Sequence, residues 1–81
     1  MNSNPIHREI KANLARSGMT LTEVVKQMNL NRPKDNQTTI QNISNKIMRE
    51  TIKYSEILEI ADILNMNIQW TEKRKEEVHN V

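Results

Sequence analysis

The sequence predicts an all-α domain, and three observations carry that reading. Helix breakers are scarce, with one Gly and two Pro among 81 residues. The aromatic residues that favour strands are scarce too, since Tyr54 and Trp70 are the only ones. Apolar residues also recur at intervals of three and four, as in Ile6, Ile10 and Leu14, which lines one face of a helix. A chain of this length makes one small domain that buries only about 60% of its unfolded surface. It has no Cys, so no disulfide reinforces it.

The first helix is expected over residues 5–17. Asn4 can cap it, and Pro5 takes the first helical position, where a missing N–H costs nothing. Gly18 supplies the left-handed residue that commonly stops a helix. Thr20-Leu21-Thr22-Glu23 is a capping box, so a second helix starts near Leu21. Its apolar face is Val24, Val25 and Met28, which Leu30 can extend. Residues 29–38 are polar, contain Pro33 and read as a loop of about ten residues, long for a helix–helix connection.

Thr38 or Thr39 can cap a third helix that runs to about Arg49. Ile40, Ile43 and Ile47 form its inner stripe. At about 100° per residue, Gln41, Asn42, Asn45 and Arg49 fall on the opposite side, with Lys46 on the flank. Residues 51–54 connect to a fourth helix that starts at Ser55-Glu56. That helix turns Ile57, Ile60, Ala61 and Leu64 inward and stops at Asn65. Met66, Ile68 and Trp70 then form a short apolar segment, expected as a last turn against the core. Trp70 is expected to close that core beside Leu64 and Met66, or else to lie in a dimer interface. The domain spans 1–70, and a charged C-terminal tail, 71–81, follows it.

Composition narrows the function. Apolar runs are only two or three residues long, as in Val24-Val25, far short of a membrane span. The opening Met1–Pro5 lacks the layout of a signal peptide, and a cytoplasmic protein is expected. His7 and His79 stand near opposite ends, and with no Cys they suggest no metal site; no cofactor is expected. One Gly cannot make a phosphate-binding loop, and no nucleophile motif is present, so no enzyme is expected. Residues 1–53 carry nine Lys and Arg against four Asp and Glu, or +5; residues 54–81 carry three against six, or −3. A basic N-terminal part suits a polyanion.

The third helix is the remaining constellation. Carboxamides pair bidentately with adenine N6 and N7, and guanidinium with guanine O6 and N7, in a groove that admits a helix. Gln41, Asn45 and Arg49 on one face form such a layout, with Lys46, Arg49 and Lys53 placed for phosphates.

Gly18-Met19-Thr20-Leu21-Thr22-Glu23-Val24-Val25 resembles the "GMTxxEL" opening of the second helix in the phage Cro and repressor (xenobiotic-response-element) class of helix-turn-helix domains. Ile43-Ser44-Asn45-Lys46-Ile47 resembles the "VSNxL" stretch of their recognition helix. Residues 54–70, YSEILEIADILNMNIQW, resemble the fourth helix and Trp-bearing fifth segment, "xxxLxxIAxALGVxxxW". The resemblance covers roughly residues 6–70. It implies a compact four- to five-helix lambda-repressor-like domain that binds double-stranded DNA, commonly as a homodimer on a palindromic operator. By position, Thr39 matches a phosphate-contacting cap, and Gln41, Ser44 and Asn45 match base-reading positions. Arg49, with the connector after it, matches a phosphate-contacting loop.

Three features depart from the family pattern. The turn between helices two and three is lengthened to about ten residues and lacks Gly. Leu21 replaces a polar residue that is often Gln, and Val25 replaces a small Ala. The expected function is that of a transcriptional regulator, such as a repressor of phage or mobile-element type. A second reading is a helix-turn-helix scaffold that binds a protein partner as an inhibitor or antagonist. It would act through loop 29–38 or through the acidic fourth helix with Glu56, Glu59 and Asp62.

Overall fold

The computed structural model describes residues 4–73, which fold into four α-helices and no strand. They are α1 (Pro5–Ser17), α2 (Leu21–Leu30), α3 (Ile40–Met48) and α4 (Tyr54–Ile63), with a single 3-10 turn at Lys34–Asn36. α2 is the hub, packing against both α3 and α4, while α1 lies on α3. Val24 and Met28 of α2 and Ile43 of α3 are fully buried. Val25, Ile47, Ile60, Leu64, Ile10 and Ile52 complete the core. Val25, the larger residue where the family pattern has Ala, is therefore absorbed within the core at 4% exposure.

Local chemistry sets the helix starts. The Asn4 side chain accepts from His7 N–H at 3.0 Å, with Pro5 at the first helical position. Thr20 and Glu23 exchange both capping bonds, at 3.2 and 2.9 Å. Thr39, not Thr38, caps α3, its Oγ1 accepting from Asn42 N–H at 3.0 Å. A cap of this kind stabilises by about 1 kcal/mol.

Three helices stop in the same way. Gly18, Glu50 and Asn65 take left-handed conformations at φ 71°, 59° and 62°. Behind each, the next N–H reaches back five residues, Met19 to Leu14, Thr51 to Lys46 and Met66 to Ala61. This is the Schellman arrangement, which satisfies carbonyls the helix end would leave unpaired.

Several expectations need correction. Helix two continues to Leu30, so the loop begins at residue 31, and Leu30 is 75% exposed rather than part of the apolar face. Ile40 is 38% exposed; Ile43 and Ile47 carry the buried stripe, and Ile40 stands at its open end in the first turn. α4 starts at Tyr54, one residue early, because the capping carboxylate is Glu56 and it serves the N–H of Lys53. Residues 66–70 form no helix or turn, so the last turn expected there does not form. Met66 packs against the core, but Trp70 is 87% exposed and leans on the Tyr54 ring, with centroids 6.4 Å apart. Trp70 therefore does not close the core. The charged tail expected at 71–81 and His79 lie outside the described residues beyond Lys73.

Candidate nucleic-acid interface

α3 is fixed at both ends and in rotation. Thr39 holds its first turn, and Ile43 and Ile47, buried in the core, fix which face points out. At its far end the Asn4 Nδ2 donates to the carbonyls of Ile47 and Met48 at 3.1 and 3.2 Å. One asparagine thus starts α1 and closes α3.

The face so presented carries Gln41, Asn42, Asn45 and Arg49, all exposed. Their side-chain amides and guanidinium make no hydrogen bond among the described residues. Thr39, which caps α3, and Lys53, at the start of α4, are also exposed, and Ser44 is half-buried on the flank. Of the seven residues singled out from the sequence, Thr39, Gln41, Asn45, Arg49 and Lys53 are exposed, while Ser44 and Lys46 are half-buried.

Lys46 is different. Its ammonium lies 2.8 Å from the Glu56 carboxylate of α4. Glu56 is itself buried, at 7% exposure, and its other oxygen accepts from Lys53 N–H at 3.0 Å. Burial pushes the Glu56 carboxyl up, but the Lys46 and Lys53 hydrogen bonds outweigh it and leave the carboxyl below the ordinary carboxylate range. A phosphate would have to compete with this carboxylate for the Lys46 charge.

The long connection is built rather than slack. The Asn29 amide pairs with the Thr38 backbone in both directions, Nδ2 to Thr38 O and Thr38 N to Oδ1, each at 2.9 Å. Gln37 adds a bond to Asn29 O at 3.2 Å. This neck brings the start of α3 to the end of α2, as a short turn would. Arg32 braces the loop against α4, with Nη2 2.7 Å and Nε 3.3 Å from the two Glu59 oxygens, and Nη1 3.3 Å from Asn36 O. The Glu59 hydrogen bond outweighs burial and raises the Arg32 pKa.

These bonds also bear on the acidic face of helix four. Glu56 and Glu59 are both engaged inside the fold, and only Asp62 of the three acids is freely exposed. Sequence reasoning missed the roles of Asn29, Arg32, Thr38 and Glu56, because each partner lies on another element or across the loop. A separate open groove of about 420 Å³ runs between α1, α4 and residues 66–69, floored by Ile6, Ile10, Ile57, Ile60 and Leu64. None of its lining comes from α3.

No family model, curated protein or solved structure matches the chain. No helix of the described residues is long and apolar enough to cross a membrane.

Proposed function

We propose that the chain is a sequence-specific double-stranded DNA-binding protein of lambda-repressor-like helix-turn-helix architecture, with α3 as the helix that enters the major groove. One observation carries the reading. The outward face of α3 presents Gln41, Asn42, Asn45 and Arg49, unpaired and unobstructed, on a helix held rigid at both ends. A polar group that no fold contact uses remains available to a ligand. These residue types match base edges in donor and acceptor pattern.

In this reading Gln41, Asn45 and Arg49 read bases, with Ser44 at the groove wall. Thr39 and Lys53 meet phosphates, and Lys46 adds charge on the flank. The work is that of a cytoplasmic transcriptional regulator of phage or mobile-element type. A second copy of the chain is the expected protein partner. The uncovered Tyr54–Trp70 pair, with Leu58 and Ile68 exposed on the same C-terminal elements, offers the apolar surface for it.

Selection from a random duplex pool at physiological salt tests the reading. An enriched sequence is expected, and Lys53→Ala should lower the salt slope by about one. A pool that stays random would overturn it.

A further inference from the structure

We infer that α3 reads A·T base pairs at the centre of its site, a specificity that rests on the DNA-binding reading above. In helix-turn-helix docking the N-terminal residues of the recognition helix reach the base edges. On α3 those turns carry only carboxamides outward, Gln41, Asn42 and Asn45, and no charged residue. A carboxamide makes its bidentate match with adenine, its N–H donating to N7 and its oxygen accepting from N6–H in one plane. Guanine is matched by Arg or Lys.

Of the two cations on α3 and its C-terminal cap, one is held by the fold and the other stands at the far end of the face. Lys46, the only Lys or Arg within α3, is held 2.8 Å from the buried Glu56 and turned to the flank facing α4. Arg49 follows the last residue of α3, one turn beyond Asn45, and serves only the far end of the site. Gln41 and Asn45 are four residues apart, roughly 6 Å along the axis, which spans about two base steps. Met48, 54% exposed, lies seven residues from Gln41 and three from Asn45, on the same side of α3, and offers an apolar group of the kind that contacts thymine methyls. The structure thus leaves amides and a methyl-contacting group uncovered while it ties up the lysine.

The test uses the full chain and a random duplex pool, followed by the enriched duplex itself. The enriched sequence should contain consecutive A·T pairs, with at most one G·C pair at its edge. Replacing a central adenine by 7-deazaadenine, which lacks the N7 acceptor, should weaken binding about tenfold. The same replacement should cost Asn45→Ala or Gln41→Ala far less, because one of these variants has already lost that bond. Enrichment of G·C-rich sequences, or indifference to 7-deazaadenine in the native chain, would overturn the A·T assignment and leave DNA binding standing. A pool that stays random would overturn both.

Discussion

α3 and α4 are amphipathic helices of nearly equal length, nine and ten residues, yet their polar faces do opposite things. On α4 the acids turn back into the fold: Glu56 holds Lys46 and caps its own helix, and Glu59 grips Arg32. On α3 the exposed side-chain amides of Gln41, Asn42 and Asn45 make no hydrogen bond among the described residues. Removing the partner of a buried carboxylate is costly, because the group left behind stays desolvated and unpaired. An exposed amide on a rigid helix adds almost nothing to stability. The difference separates structural polar groups from those free to serve a ligand, and substitutions on the two helices should separate in the same way.

The largest effect is expected at Glu56. Glu56→Ala removes the α4 cap and leaves Lys46 without its partner, so unfolding free energy should fall by about 2–3 kcal/mol. A urea titration measures it, and a loss under about 0.5 kcal/mol would mean the buried pair does not hold α4 to α3. The pH dependence follows from the lowered pKa of Glu56. A depressed carboxyl gives stability that is complete above its unfolded pKa, about 4.3, and is lost as pH falls through the folded value. The native chain should therefore lose stability on acidification below about pH 4.5, and Glu56→Gln should flatten that part of the profile.

On α3 the expectation reverses. Asn45→Ala should leave unfolding within about 0.5 kcal/mol of the native chain while costing about 1–3 kcal/mol at the selected duplex. Anisotropy titrations beside urea melts give both numbers. Equal losses in the two would return Asn45 to a structural role. Between these extremes lies Arg32→Ala, which frees the loop from α4. A mostly buried bidentate pair, with side chains 16% and 27% exposed, should be worth about 1 kcal/mol to stability.

Legibility in the sequence follows the range of each contact. The turn from α1 to α2 could be read outright, because Gly18, Thr20 and Glu23 settle it within six residues. The face of α3 could also be read, since periodicity alone places Gln41 and Asn45 opposite Ile43 and Ile47. The neck from Asn29 to Thr38 and the Arg32–Glu59 brace could not, because those partners are brought together by helix packing. Glu56 looked like a solvated surface charge, since nothing local shows a carboxylate to be buried. That Trp70 does not close the core could not be read, because helical spacing stops applying at Asn65, where the chain turns into the left-handed conformation.

The smallest effect sharpens the same contrast at the end of α3. Glu50 fills at φ 59° the place that Gly18 fills at φ 71° after α1. A side chain costs about 1–2 kcal/mol in that conformation, while glycine adopts it freely but is more flexible when unfolded. The net expectation is that Glu50→Gly stabilises by about 0.5 kcal/mol, with an unchanged urea slope. It also removes a carboxylate next to Arg49, so duplex binding should tighten at low salt and less so at high salt. Glu50→Gln separates the two causes: it removes the charge and keeps the Cβ, so it should share the gain in binding but not the gain in stability. If Gln stabilises as much as Gly, charge near the α3 terminus, and not the left-handed turn, sets the cost at Glu50.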